Sequence, residues 1–283
     1  MPLFSPGAAR DSIYEKIRDC GSADFCERIE SMWVIYQQHA DPDFLEKAKE
    51  DFGARLWEMH LGCSLLERGY RLAPKKHSKG PDICILTSDG KIWIEATVPG
   101  PGTTADKVTE NASGEIREVP TDKIILRLRG AIEAKHAKYK EYLRDGIVAK
   151  REPFVIAICG VKIPSAHCED EPPLIVKAVF PYGPSAMRYE IDPKQGIRPV
   201  EKFLTYQPEV VNHNQAPVSK DIFLDCTYES ISGVLYSLQG IHSYCDDFVF
   251  VHNPLATAPL PLGFIRSSTE YWVEYELKKS VAS

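Results

Sequence analysis

Two acids and a lysine near the middle of the chain have the types and spacing to do chemistry together. Asp82 directly follows Pro81, and Glu95 comes thirteen positions later within Ile92-Trp93-Ile94-Glu95-Ala96-Thr97. Side chains alternate along a strand, so Trp93, Glu95 and Thr97 share one face and Ile92, Ile94 and Ala96 the other. An acid inside such an apolar strand is costly to bury unless it is paired or holds a metal. If residues 81–86 and 91–98 pair as a hairpin, Asp82 comes close to Glu95, and two neighbouring carboxylates repel. A divalent cation such as Mg²⁺ relieves that repulsion, because it prefers carboxylate and carbonyl oxygens plus water, and the Ala96 carbonyl is a candidate third ligand. The lysine is Lys135. In a helix over 122–143 the apolar stripe runs Ile125, Leu128, Ile132, then Tyr139 and Tyr142, and at about 100° per residue Lys135 fills the gap. Lys138 lies toward the stripe's edge with Arg127. A lysine facing the sheet either snorkels along apolar surface to an edge or meets a buried anionic site, where it could orient water or stabilise developing phosphorane charge.

The elements that must position these groups can be read from periodicity. Residues 10–40 read as one or two helices anchored by Ile13, Ile17, Ile29, Trp33 and Tyr36. Asp41-Pro42-Asp43 breaks that pattern, and Asp43 can cap the next helix. Residues 44–68 read as one amphipathic helix with the stripe Leu45, Ala48, Phe52, Leu56, Met59, Cys63 and Leu66, ended by Gly69. The period then changes. Tyr70–Ala73 is a short strand, and Pro81–Leu86 and Lys91–Val98 are strands joined by the turn Thr87-Ser88-Asp89-Gly90. Residues 99–121, rich in Gly, Pro and Thr, read as a loop. The helix over 122–143 comes next, and Phe154–Cys159 reads as a buried central strand. Further on, Ile175–Phe180, Ile222–Cys226 and Asp247–Val251 read as strands and Ser230–Gln239 as a helix, with the proline-rich stretch 181–219 decorating one face.

The order α-β-β-β-α-β, with Pro81-Asp82 and Glu95-Ala96-Thr97 on its hairpin, resembles the PD-(D/E)XK nuclease superfamily over roughly residues 44–160. The resemblance implies a restriction-endonuclease-like fold: an α/β core with a central mixed sheet flanked by helices. It also implies a metal-dependent nuclease that hydrolyses phosphodiester bonds with Mg²⁺ or Mn²⁺, with nucleic acid as partner, DNA ahead of RNA. Carried over, Asp82 and Glu95 are the metal-binding acids. Glu58, on the first core helix, occupies the place of a further family acid. The motif wants a lysine two residues after the glutamate, where this chain has Thr97. Some members supply it from the following helix, and Lys135 stands there. The organisation expected is a single domain over 1–283: an N-terminal helical extension over 1–42, a nuclease-like core over 43–165 and a C-terminal α/β extension over 166–283 packed on the core. The Thr at 97 also motivates an alternative, a catalytically inactive nuclease-fold protein that binds nucleic acid or protein.

Composition bounds these readings. The chain has 283 residues, 43% hydrophobic and 26% charged, an ordinary globular balance. A chain of this size buries roughly three quarters of its unfolded surface. No apolar run approaches the ~18 residues of a membrane span, and the first residues lack the pattern of a signal peptide, so a cytoplasmic protein without membrane contact is expected. The net charge of −6 argues against a general polyanion-coating protein but leaves room for a local basic groove. Lys75, Lys76 and Lys79 could serve there as phosphate contacts beside the site, with Lys138, or could form a solvated loop. Arg127 and Arg129 lie off the apolar stripe and read as exposed. None of the eight cysteines forms Cys-x-x-Cys; Cys63, Cys84, Cys159 and Cys226 sit in apolar segments and read as reduced buried thiols. His242-x-x-Cys245 and His167-Cys168 are isolated metal-ligand pairs. His252-Asn253-Pro254 reads as a turn. No Walker spacing and no Gly-x-Ser-x-Gly elbow is present.

Overall fold

The structure, a computed structural model, describes residues 1–110, 114–168, 171–192, 196–238, 247–274 and 277–281. Four helices come first: α1 (Ser12–Cys20), α2 (Ala23–Tyr36), α3 (Phe44–Glu50) and α4 (Phe52–Glu67). Next are strands β1 (Arg71–Leu72), β2 (Ile83–Leu86) and β3 (Lys91–Thr97), the long helix α5 (Thr121–Arg144), strand β4 (Phe154–Cys159) and the short helix α6 (Leu174–Val179). Two small hairpins, β5 (Tyr182–Asp192) with β6 (Gly196–Tyr206) and β7 (Glu209–Val211) with β8 (Pro217–Ser219), form sheets of their own. The chain ends with β9 (Gly233–Ser237), β10 (Val249–His252), β11 (Thr269–Val273) and β12 (Leu277–Val281).

The main sheet has eight strands in the order β1-β2-β3-β4-β9-β10-β11-β12. It is mixed: β1, β2 and β3 are antiparallel neighbours, while β4 runs parallel to both β3 and β9. Antiparallel strands need only a tight turn, and Thr87 N–H donates to the Gly90 carbonyl at 2.9 Å to close it. Parallel neighbours need a crossover, which α5 provides between β3 and β4. Strand β4 is buried along its whole length, as its unbroken apolar run requires. The strands of 233–281 join this same sheet rather than a separate one.

Helices cover both faces. Ile92, Ile94, Val155 and Ala157 pack against Trp57, Leu61 and Leu65 of α4. On the other face Phe154, Ile156 and Ile158 pack against Ile125, Leu128 and Ile132 of α5. Helices α1 to α3 pack on the outer side of α4 through Tyr14, Ile29, Trp33 and Phe44. Helix α4 is therefore buried on two sides, and only part of the expected stripe is covered: Ala48 on α3 and Phe52, Met59 and Cys63 on α4 are buried, while Leu45 on α3 and Leu56 and Leu66 on α4 are partly exposed. Among the described residues no helix is long and apolar enough to cross a membrane.

Several expectations are corrected. Residues 44–68 form two helices, because Asp51 leaves helical geometry (φ −144°) and its side chain accepts from Ala54 N–H, capping α4. Asp43 does not cap with its side chain; it pairs with Lys47 at 3.1 Å and accepts from Ser78 at 3.0 Å. Ile13 is exposed rather than an anchor. Ile175–Phe180 is not a strand: α6 occupies 174–179, and a short apolar run carries no period to separate the two. Ile222–Cys226 forms short 3₁₀ turns, with Asp225 accepting from Thr227 N–H at 2.8 Å. The helix expected over Ser230–Gln239 is strand β9, with residue 239 outside the described residues. Within that strand position 233 needs glycine, since a Cβ there would lie 2.6 Å from the Phe250 ring on the neighbouring strand. Cys63 and Cys159 are buried, but Cys226 is exposed and Cys84 only partly covered; all are free thiols. His242 and Cys245 lie outside the described residues.

Candidate active site

The pleat of β3 sends Glu95 toward α5, with only 2% of its side chain exposed. Three groups from α5 meet it. Lys135 Nζ donates to Oε1 at 2.7 Å, Lys138 Nζ to the same oxygen at 3.2 Å, and the Tyr142 hydroxyl to Oε2 at 3.1 Å. Residues 135, 138 and 142 are spaced three and four apart, so one helical face presents all of them. Burial, followed by the Glu95 charge, lifts the Tyr142 phenol far above its ordinary range. That phenol is therefore a fixed hydrogen-bond donor. Lys135 does not snorkel to an edge; it is mostly covered and ends on a carboxylate.

Asp82 stands just before β2. Ile83 pairs with Ile94, so one further step places Asp82 opposite Glu95. Its Oδ2 accepts from Ala96 N–H at 2.7 Å. The Trp93 N–H points to the β4 side, donating to the Pro153 carbonyl at 2.9 Å. Three residues on, Ala96 turns its N–H and carbonyl to the opposite side, toward Asp82. The Asp82 charge reaches Lys138 and Tyr142, both partners of Glu95, as well as Arg55 and Glu58 on α4. Asp82 thus lies between two clusters, one on each face of the sheet.

The second cluster centres on Glu58, which is fully buried. Its Oε1 accepts from the Tyr36 hydroxyl at 2.9 Å, and its Oε2 from Arg55 in a short contact. Gly62, one turn on, makes this possible: a Cβ there would sit 2.2 Å from the Tyr36 ring, which crosses α4 to reach the acid. Arg55 also approaches Asp82 Oδ1 at 4.0 Å. Burial and then the charge of Asp82 raise the Glu58 carboxyl to about 8, against the opposing pull of Arg55, Lys75 and the Tyr36 hydrogen bond.

Asp82, Glu95, Ala96, Lys135 and Lys138 are therefore neighbours, and Glu58 joins them through Arg55 rather than directly. Among the described residues no group of three His, Cys, Asp or Glu side chains gathers closely enough to hold a metal. The available donors, two carboxylates and a carbonyl, are nonetheless hard oxygens suited to Mg²⁺, which commonly uses one or two carboxylates and keeps several waters. Lys76 and Lys79 are exposed on the loop before Asp82, while Lys75 turns back to the buried Asp41 at 2.7 Å. Thr97 is partly buried beyond Glu95. Arg127, expected to be exposed, is partly buried and donates to the Gly100 carbonyl at 2.9 Å, holding the loop after β3. Sequence reasoning missed Arg55 and Tyr36. The Arg55–Glu58 spacing of three on a helix was the available signal for the first; nothing local announces Tyr36.

Compared with known proteins, the chain matches no family model, no curated protein and no solved structure.

Proposed function

We propose that this chain is a metal-dependent nuclease with a restriction-endonuclease-like core of the PD-(D/E)XK type, spanning α4-β1-β2-β3-α5-β4. The observation that carries the reading is the 2.7 Å contact between Lys135 and Glu95: the lysine missing at position 97 has a counterpart on the next helix, aimed at the same carboxylate. Two further features support it. Strands β1 to β3 are antiparallel with β4 parallel to β3, and Asp82, just before β2, accepts from the Ala96 N–H on the neighbouring β3.

Asp82, Glu95 and the Ala96 carbonyl would hold Mg²⁺ or Mn²⁺, which when bound supplies Lewis-acid polarisation of a phosphoryl oxygen and an activated water. The chain's own groups do the rest. Lys135, held against Glu95, places positive charge where negative charge develops on the phosphoryl group. Tyr142 fixes the second Glu95 oxygen and so the carboxylate's orientation. Lys138, half exposed, can leave Glu95 to meet a backbone phosphate, and Lys76 and Lys79 extend that contact. Glu58 acts as a positioning residue: it anchors Arg55, whose charge steadies Asp82. Free thiols fit a reducing, cytoplasmic setting, and DNA is the preferred substrate ahead of RNA.

A second reading, a catalytically inactive nuclease-fold protein that binds nucleic acid or protein, is favoured by one observation. Both Glu95 oxygens are already occupied by α5 donors. The two readings separate in one experiment. Incubation of the protein with duplex DNA and with RNA, in Mg²⁺ and in EDTA, is expected to show Mg²⁺-dependent cleavage that Asp82→Asn and Glu95→Gln abolish. Mn²⁺ is expected to raise the melting temperature of the wild type. Absence of both cleavage and metal stabilisation would leave the binding module as the better account.

A further inference from the structure

At the opposite end of the sheet from Asp82, the root of the β5–β6 ribbon and the β11–β12 edge border an open groove of about 620 Å³, within the size range of small-molecule sites. Tyr182, Phe203 and Leu204 line it from the ribbon, Tyr271 and Leu277 from the sheet. Three aromatic rings and two leucines, from segments remote in sequence, form its apolar side, and polar and charged groups line the rest.

Its charged groups are few and unequally matched. Glu201 is cancelled on the ribbon itself by Arg188 at 2.8 Å. Glu171 accepts from Tyr271 at 2.9 Å and from Lys279 at 3.0 Å. Burial alone would raise the Glu171 carboxyl; those two hydrogen bonds and the charges of Lys279 and Lys202 outweigh it and hold the group below its ordinary value. Two ammonium groups thus share one carboxylate. Lys202 lines the site with an exposed side chain that makes no hydrogen bond among the described residues, and it meets Glu171 only through its charge.

The groove is also preformed. Lys220 is wholly buried, and its ammonium donates to the Tyr182 carbonyl at 2.6 Å and to Gln207 Oε1 at 3.2 Å. One group therefore ties the first residue of β5 to the residue following β6. Gln207 N–H closes the same root by donating to the Pro181 carbonyl at 2.9 Å. A fixed root avoids the ordering cost that a floppy ribbon would impose on a ligand.

The geometry points to a binding site, independent of the Asp82–Glu95 centre, for a small amphipathic anion: an aromatic or aliphatic body in the groove and one carboxylate, sulfonate or phosphate at Lys202. Titration of the full chain with anilinonaphthalene sulfonate, followed by fluorescence, tests this. One saturable site is expected. Lys202→Glu, an exposed change that leaves the fold untouched, is expected to weaken binding at least about tenfold, and Leu204→Trp, which fills the groove, to remove saturable binding. The uncharged parent anilinonaphthalene is expected to bind more weakly than the sulfonate. Melting curves identify any variant that fails to fold, and Lys202→Glu then decides alone. No saturable binding to the wild type, or binding that Lys202→Glu leaves unchanged, would overturn the proposal.

Discussion

The Lys135 ammonium donates to Glu95 Oε1 at 2.7 Å across forty residues of chain, from the middle of α5 to the end of β3. Neither group could be buried alone. A carboxylate on an apolar strand and a lysine on an apolar helical stripe each carry a desolvation cost that the other offsets, with Lys138 and Tyr142 adding to the Glu95 side. The pair explains why the α5 stripe tolerates Lys135 at its centre, and why β3 tolerates Glu95.

Because the pair is shared, its two halves should differ when removed. Lys135→Met leaves Glu95 with Lys138 and Tyr142, so a loss of about 1–3 kcal/mol is expected. Glu95→Ala strands the mostly covered Lys135 ammonium, while the half-exposed Lys138 turns to solvent, and a larger loss of about 3–5 kcal/mol is expected. Urea denaturation of the two variants checks the order; equal losses would mean that Lys135 does not depend on Glu95.

Glu58 should make stability depend on pH. Its folded carboxyl is raised from 4.5 to about 8 by burial and by Asp82. Between those values the folded chain keeps a proton that the unfolded chain has lost, so stability falls as pH rises through that window, by up to about 1.4 kcal/mol per pH unit. Glu58→Gln should flatten that slope while retaining the Tyr36 and Arg55 neighbours. Denaturation profiles across the window measure it directly.

His136 should act at the acid end. Burial first, and then Lys140, lowers it from 6.5 to about 4, and it packs 4.8 Å from the Tyr228 ring. As pH falls below 6.5 the unfolded chain gains a proton that the folded chain refuses, and stability declines until about 4. His136→Leu should be less sensitive to acid over that interval than the wild type.

The thiols divide by burial. Cys63 and Cys159 are pushed up to about 12, in both cases chiefly by desolvation, and the thiolate is the reactive form. Cys20, Cys168 and Cys226 are exposed. Mass-spectrometric mapping after a brief maleimide pulse should find label on the exposed three, and on Cys63 and Cys159 only after denaturation.

The legible part of the molecule was the part where local pattern and tertiary demand agree. The Asp89-Gly90 turn fixed the hairpin, two-residue alternation turned Glu95 away from Ile94, and helical spacing set Lys135 into the α5 stripe. The burial of Glu58 was less readable, because α4 is enclosed between a helical layer and the sheet and so lacks one clear apolar face. After residue 166 the apolar runs are too short to show a period, and tertiary packing decided. Residues 233–237 became strand by pairing with β4 and β10, and 174–179 became helix behind Pro172-Pro173. Arg55 and Tyr36 entered the site through contacts with Glu58 that lie outside any motif.

The central claim is that Lys135 supplies the positive charge absent at Thr97. Single-turnover cleavage of duplex DNA in Mg²⁺ by the wild type and by Lys135→Ala, with melting temperatures measured alongside, tests it most directly. Cleavage by the wild type and a loss of about 10²–10³-fold in the variant, which remains folded, is the predicted result. Cleavage at an undiminished rate by folded Lys135→Ala would contradict the account.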